Sequence, residues 1–169
     1  PANELPYCAF FNSSKHIGAA YLTTIVLPDS LVTIGDYALQ HCYCLSSANI
    51  PGTVTRIGQS AFDSDTSLAQ ITIPAKVEFI GQDAFRRIGG NILADGNNPA
   101  FSSRDGVLFN KGKTLLIQCP DNKTSYSIPS TVKTIGIDAF MWCFKLKSVT
   151  IPSSVDSLAP SSFGNCGLT

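Results

Sequence analysis

Residues 128–152 read IPSTVKTIGIDAFMWCFKLKSVTIP, and this stretch decides the fold because its pattern recurs along the chain. The Ile-Pro pair that opens it returns 23 residues later, at Ile151–Pro152. Three earlier pairs keep the same spacing of 23 residues, at Leu27–Pro28, Ile50–Pro51 and Ile73–Pro74. Internal periods of about 20 to 50 residues are typical of repeat proteins that stack into solenoids.

Two further columns follow the same register. A glycine stands seven residues after the proline in four repeats, and Leu or Phe stands eleven residues after it in all five. These residues are Gly35, Gly58, Gly81 and Gly136, and Leu39, Phe62, Phe85, Phe140 and Phe163. We therefore place repeats at 22–44, 45–67, 68–90, 123–145 and 146–168. Residues 1–21 form an irregular N-terminal piece and residues 91–122 an insertion, all within one solenoid domain.

The third repeat shows the local structure that this pattern predicts. Ile71 and Ile73 are two residues apart, so in a strand both side chains point to one face. Pro74 ends the strand because it has no N–H to donate. Gly81 then allows a tight bend, and Phe85 fills the coil interior. Stacked coils bury one another, so we expect short parallel strands, little helix and a continuous aromatic spine.

The insertion has a different pattern. The apolar runs 107–109 and 115–117 flank Asn110-Lys111-Gly112-Lys113, which predicts a β-hairpin with Gly112 at a positive φ. The run Asn97-Asn98-Pro99 marks a turn before it. The solenoid is therefore expected to be interrupted by a hairpin and then to resume.

Residues 128–152 resemble the BspA-like leucine-rich repeats, the Treponema-type class. The segment Asn98 to Lys111 also looks like one that recurs in that family. The resemblance covers residues 22 to 168. It implies a right-handed leucine-rich-repeat solenoid in a secreted or cell-surface protein, mostly of host-associated bacteria, with members involved in adhesion to host matrix proteins or other cells. The family has no catalytic motif, so the resemblance transfers no functional residue.

Composition narrows the class of partner. The chain has 169 residues, a formal net charge of zero and 14% charged residues, so we expect no nucleic-acid binding. No run of 18 apolar residues occurs, so no membrane-spanning helix is expected in this segment. The chain begins at Pro1, consistent with a removed signal peptide or with a piece of a longer protein. It stops at Leu168–Thr169, where the next strand should begin, which suggests that the array continues.

Six cysteines raise the question of metals and disulfides. Cys42, Cys143 and Cys166 share one repeat column, which indicates small packing side chains. The densest ligand set, His41, Cys42 and Cys44, lacks a fourth partner at a sensible spacing. We therefore expect no metal and no cofactor. A bridge from Cys8 to Cys42 or Cys44 is an alternative in an oxidising compartment.

The inventory for catalysis is small. The two histidines, His16 and His41, do not lie beside a recognisable nucleophile motif. The sequence therefore predicts that the chain is not an enzyme and has no catalytic residues.

One turn column departs from the others. Met141, Trp142 and Phe144 occupy positions that hold polar residues in earlier repeats, such as Gln40, Asp63 and Ser64. Those polar occupants suggest exposure, and an exposed apolar patch marks a contact surface. In the alternative, the hairpin or the N-terminal piece covers the patch, or Trp142 lies flat on its own coil. Arg86 and Arg87 stand in the same columns beside the insertion. With Arg104 they form either a small basic spot or solvated charges.

These observations predict a non-catalytic binding or adhesion module with Met141, Trp142, Phe144, Arg86 and Arg87 as its candidate contact residues. Its candidate partners are a host matrix protein, a glycan or another cell-surface protein, and its expected location is extracellular or at the cell surface. The alternative is a structural spacer that holds other domains of a larger surface protein.

Overall fold

The computed structural model describes residues 3–169, which contain short β-strands and no helix. Residues 1 and 2, the start of the expected N-terminal piece, lie outside the described part. The strands are β1 Glu4–Leu5, β2 Phe11–Asn12, β3 Ile17–Gly18, β4 Thr24–Val26, β5 Thr33–Ile34, β6 Ser47–Asn49, β7 Arg56–Ile57, β8 Gln70–Ile73, β9 Phe79–Ile80, β10 Asn91–Ala94, β11 Phe101–Arg104, β12 Val107–Asn110, β13 Leu115–Gln118, β14 Ser125–Ser127, β15 Thr134–Ile135, β16 Ser148–Thr150 and β17 Ser157–Leu158.

The strands form two parallel ladders that run along a solenoid of about six turns. In the first ladder β4 pairs with β6, β8 with β10 and β14 with β16. In the second, β1, β5, β7 and β9 pair in order, and β13, β15 and β17 resume it. Thr24 lies opposite Ser47, one 23-residue period away. The predicted fold class, a β-rich solenoid with short parallel strands, is confirmed.

A third side of each coil is a run of turns, which we call the turn edge: residues 37–44, 60–67, 83–90, 138–145 and 161–167. Its amides donate to carbonyls of the next coil, as Tyr37 N does to Gln59 O at 2.8 Å and Leu39 N to Ala61 O at 2.9 Å. Two residues of each turn adopt the left-handed conformation, for example Tyr37 (φ 57°) and His41 (φ 60°). The chain therefore bends through non-glycine residues.

This corrects the expected role of the glycine column. Gly106 is the glycine of residues 3–169 with a positive φ, so Gly81 does not make the bend. A Cβ at Gly81 would instead lie 2.6 Å from the carbonyl carbon of Gly58 on the previous coil. The column is glycine because the coils approach one another closely there.

The aromatic spine is not continuous. Phe62 stacks on Phe85 with ring centroids 5.7 Å apart, and Phe140 stacks on Phe163 at 4.9 Å. Between the two pairs, fully buried Cys119 takes the equivalent position, with its amide bonded to Ala139 O at 2.7 Å. The buried residues accordingly form two clusters, one around Phe85 and one around Phe140. The expectation of a single spine is wrong because Cys119, and not an aromatic residue, occupies the spine position of the coil between the two pairs.

The insertion supplies one irregular coil. β10 extends the first ladder beside β8, β11 and β12 form an antiparallel hairpin, and β12 pairs with β13 as predicted. The positive φ in the turn before β13 belongs to Lys113 (φ 52°) and not to Gly112. Asn110 Oδ1 accepts from Thr114 N at 2.9 Å and from Leu115 N at 3.0 Å. This side chain holds the turn, so Gly112 does not need the left-handed conformation.

The N-terminal residues contribute to the stack. β1 runs parallel to β5, and the amides of Cys8 and Phe10 donate to Asp36 O and Ala38 O at 3.0 and 2.8 Å. β2 and β3 form a small antiparallel hairpin over the first turn edge. In residues 3–169 we find no helix long and apolar enough to cross a membrane.

Candidate functional site

The turn edge carries all five residues predicted to contact a partner. Arg86 and Arg87 lie on the third coil, and Met141, Trp142 and Phe144 lie beyond the insertion. They share this edge because equal positions in each period face the same side. Their environments differ, and the differences decide which of them can meet a partner.

Phe144 and Trp142 form the aromatic part of the edge. The Phe144 side chain is 49% exposed, and its ring packs edge-on against the half-buried Trp142 at 5.6 Å. Trp142 has a left-handed backbone (φ 64°), which is rare for a bulky residue. Its amide donates to Gly164 O at 3.0 Å, and Phe144 N donates to Trp142 O at 2.8 Å. These bonds fix the backbone that carries the two rings. Met141 beside them is half-buried.

Arg87 joins this pair from across the insertion. Its guanidinium carbon lies 5.8 Å from the centroid of the Phe144 ring, within the range of a cation–π contact. Its Nε is buried and has no hydrogen-bond partner. Asp121 lies near Arg87 and the backbone of Phe144. Burial raises the pKa of its carboxyl, although the charges of Lys145 and Arg87 oppose this rise. The sequence placed Arg87 and Phe144 on one edge but could not show that they touch.

Arg86 has a different role. Its Nη2 lies 2.7 Å from Asp63 Oδ2 on the second coil, and its Nη1 lies 3.2 Å from Asp83 Oδ2. The Asp63 side chain is completely buried. Burial lowers the pKa of Arg86, but the bond and charge of Asp63 outweigh it, so the pKa is raised. The charge of Arg86 is therefore neutralised by Asp63 and Asp83 within the stack. The hypothesis of a basic spot that includes Arg86 is wrong.

The polar residues of these columns are buried and not exposed. Gln40 is 8% exposed, Asp63 0% and Ser64 2%. Gln40 Nε2 donates to Asp63 Oδ2 at 2.9 Å and Ser64 Oγ to Asp63 Oδ1 at 3.1 Å. The inference of exposure from polar neighbours is therefore wrong. The signal for this network was available in the sequence, since Gln40, Asp63 and Arg86 follow one another in a single column.

A second aromatic pair occupies the same two columns at the start of the array. His41 and Tyr43 stack with centroids 5.4 Å apart and an interplanar angle of 12°, and Tyr43 is 42% exposed. In the sequence, His41 stands out only as a possible general base or metal ligand. Its equivalence to Trp142, and that of Tyr43 to Phe144, was the signal that this interpretation missed.

The remaining reactive groups lie in unfavourable surroundings. Burial, with the charge of Asp65, raises the pKa of the Cys42 thiol to about 12, so it does not form a thiolate readily. All six cysteines, each within residues 3–169, are free, and the bridges considered for Cys8 are not formed. His41 Nδ1 lies 3.3 Å from the carbonyl of His16. Across residues 3–169, no group of three His, Cys, Asp or Glu side chains is arranged to hold a metal ion.

Comparison with known proteins identifies similar leucine-rich-repeat proteins. The model of the family described as "BspA type Leucine rich repeat region" matches residues 4–92 and 114–169 in six copies. A leucine-rich cell surface protein of Faecalibacterium prausnitzii is 33% identical with a TM-score of 0.76, over 89% of this chain and 41% of that one. The pneumococcal vaccine antigen PcpA is 27% identical with a TM-score of 0.77, over 85% and 37%.

A leucine-rich repeat protein of Eubacterium ventriosum is 26% identical with a TM-score of 0.67, over 91% of this chain and 48% of that one. This chain therefore spans less than half the length of each of these three structures. A search of curated proteins gave no match.

Proposed function

Because this chain belongs to the BspA-type leucine-rich-repeat family, we propose that it is a non-catalytic binding module of a bacterial secreted or surface protein. Its ligand is a protein or a glycan on a host or neighbouring cell. The names of two similar structures, a vaccine antigen and a cell surface protein, support the extracellular location.

One observation carries the proposal for the contact surface: Phe144, 49% exposed, is held between Arg87 and Trp142. Aromatic and Arg side chains dominate the binding energy of protein interfaces, because they bury a large area at little loss of conformational freedom. Met141 flanks this cluster, whereas Arg86 supports the edge from within through Asp63. We therefore place the centre of the contact on Arg87, Trp142 and Phe144.

Binding of the chain to immobilised extracellular-matrix proteins and to a glycan array tests this proposal. Truncation of a central aromatic residue costs about 2 kcal/mol or more, so Phe144→Ala should weaken binding at least tenfold and leave Tm unchanged. For Trp142, the substitution to Asn suits the left-handed backbone better than Ala. Tyr21→Ala is the matched control, since Tyr21 is 93% exposed and lies before the first repeat, several coils from Phe144.

The alternative is a structural spacer. The outward residues of the first ladder, such as Ser47, Asn49 and Thr72, are exposed and uncharged, as a solvated spacer surface requires. A spacer should bind nothing saturably, and Phe144→Ala should then change no measured property of the full-length surface protein. That outcome would reject the binding module.

A further inference from the structure

The second ladder is interrupted where the insertion begins. β9 pairs with β7 on one side, and β13 pairs with β12 and β15. In the described chain, every Cα of β9 lies more than 8 Å from every Cα of β13. Paired strands lie about 4.8 Å apart, so β9 has an open edge that faces the resumed solenoid.

The backbone groups along this edge lack the partners that other coils have. Gly58 N donates to Ile34 O and Gly81 N to Ile57 O, at 2.8 and 2.9 Å. Within residues 3–169, the equivalent carbonyl of Ile80 accepts no such bond. On the adjoining turn, Ser60 N donates to Gln82 O at 3.0 Å, but Asp83 N, one period later, donates to no carbonyl of the described residues. Free acceptors and donors therefore line the break.

A cleft of about 350 Å³ lies between the open edge and the resumed solenoid. Ile80 forms one wall, and Leu115, Ile117 and Ile137 form the other. Ile137 is 49% exposed. Polar side chains of the lining are those of Gln82, Asp83, Gln118 and Thr134. An apolar cleft with a few polar groups beside a free strand edge is suited to an extended chain.

The acidic side chains of the cleft indicate which charge a bound peptide needs. The Asp83 side chain is 10% exposed, and its Oδ1 is buried without a hydrogen-bond partner. Asp138, 8% exposed, accepts from Gln82 Nε2 at 3.4 Å. Burial raises the pKa of Asp83, Arg86 lowers it, and Asp138 and Asp63 raise it, so that the pKa is about 6. Arg86 pairs with both Asp63 and Asp83, so a single arginine serves the three acidic side chains Asp63, Asp83 and Asp138.

We propose that this cleft binds an extended peptide segment of a partner protein, which adds a strand beside β9 and places a Lys or Arg side chain against Asp83. The backbone of the segment satisfies Ile80 O and its alternate side chains cover Leu115 and Ile117. Its cation forms a charge-assisted bond to the free oxygen of Asp83. A neutral glycan offers no such cation. This site is separate from the aromatic cluster of the turn edge.

Two synthetic peptides test the proposal with the full chain. The probe is acetyl-Thr-Val-Thr-Arg-Thr-Val-Thr-amide, and its partner has Gln in place of Arg. We expect the Arg peptide to bind at least tenfold more tightly than the Gln peptide, measured by NMR titration, with the largest amide shifts at residues 80–83. Asp83→Asn should lower the affinity for the Arg peptide to that for the Gln peptide. Asp156→Asn, which changes an exposed carboxyl on another coil, should have no effect.

A second variant tests the cleft without changing the buried hydrogen-bond network of Asp63, Arg86 and Asp83. Ile137→Arg changes an exposed side chain and brings a cation of the protein into the cleft, so it should block the Arg peptide while Tm is kept. Equal affinity for the two peptides, or binding unaffected by both Asp83→Asn and Ile137→Arg, would overturn the proposal. Self-association of the chain that Ile137→Arg abolishes would also overturn it, because the occupant would then be a second copy. Phe144→Ala should leave peptide affinity unchanged, so the two binding surfaces are tested independently.

Discussion

Asn98 shows how much one polar side chain can organise in the insertion. It is completely buried, its Nδ2 donates to Pro74 O at 2.8 Å and to Val77 O at 2.9 Å, and its Oδ1 accepts from Ala100 N and Phe101 N at 2.9 and 2.8 Å. The side chain thus ties the start of β11 to the third coil. A turn was predicted from Asn97-Asn98-Pro99, but the pattern did not show that one asparagine joins two coils.

Asn98→Ala should destabilise the protein by about 2–4 kcal/mol, because it leaves buried carbonyl and amide groups without partners. The measurement is urea unfolding followed by circular dichroism. Asn97→Ala is the control: Asn97 is exposed and should change stability by no more than about 0.5 kcal/mol. Equal effects of the two substitutions would show that the buried bonds of Asn98 do not stabilise the insertion.

The raised pKa of Asp83 predicts that the free energy of unfolding depends on pH. Its pKa rises from 3.8 to about 6 through burial and the neighbouring Asp138 and Asp63, against the opposing charge of Arg86. The folded state therefore binds this proton more tightly than the unfolded state, so the contribution of Asp83 to stability falls as the pH rises from about 4 to 6. From pH 7.5 to pH 5 the unmodified protein should gain about 1–2 kcal/mol relative to Asp83→Asn.

Urea unfolding of both proteins at the two pH values gives this difference directly. Comparison with Asp83→Asn removes the contributions of titratable groups remote from Asp83, which both proteins share. A difference that does not change with pH would mean that the Asp83 carboxyl is as well solvated in the folded as in the unfolded chain.

The shared repeat column predicted the packing role of its three cysteines: Cys42 and Cys143 are buried as expected, and Cys166 is half-buried. The same reasoning failed for Gln40, Asp63 and Ser64. A polar side chain is compatible either with solvent or with a buried partner, and the partner of Asp63 lies 23 residues away in Arg86. Only the stacked coils bring the two together.

At the scale of elements, close stacking of the coils depends on the glycine column. A Cβ on Gly58 would lie 2.6 Å from the carbonyl carbon of Gly35, which is backbone and cannot move aside. Gly58→Ala should therefore cost about 1–3 kcal/mol through overpacking. Gly52→Ala is the control, because no heavy atom lies within 4 Å of its added Cβ. Differential scanning calorimetry should show a lowered Tm for the first variant only; an unchanged Tm for Gly58→Ala would show that the coils can separate without loss.

The strands of the first ladder were predictable because alternation within Ile71–Ile73 indicates both the strand and its buried face. The hairpin of β12 and β13 was predictable because two apolar runs, 107–109 and 115–117, flank turn residues. The turn before β13 was not, since Asn110 makes hydrogen bonds that relieve Gly112 of its expected conformation. Side-chain bonds of this kind compete with the local preference on which turn prediction rests.

For the whole molecule, the insertion divides the core into two clusters, around Phe85 and Phe140. Stability of a stacked array is approximately a sum of local and neighbour contributions, so a core substitution should act mainly on its own side. Phe140→Ala should cost about 3–5 kcal/mol. In hydrogen exchange it should remove protection from β14 to β17 and leave β5 to β8 protected.

Phe62→Ala should give the opposite pattern of exchange. Equal loss of protection along the whole chain in either variant would show that the two clusters unfold as one unit, with the Cys119 coil coupling them.

The sequence by itself determined the repeat, the short parallel strands and the turn columns that hold Arg87, Trp142 and Phe144. These follow from periodicity, because residues one period apart occupy equivalent places in a stacked coil. The break in the spine, the buried Asp63–Arg86 pair, the contact of Arg87 with Phe144 and the open edge of β9 were decided by the tertiary structure. The Asp63–Arg86 pair depends on side-chain packing between two neighbouring coils. The other three depend on how coils on the two sides of the insertion meet, and the distance across an insertion is not encoded in the period of the repeats that flank it.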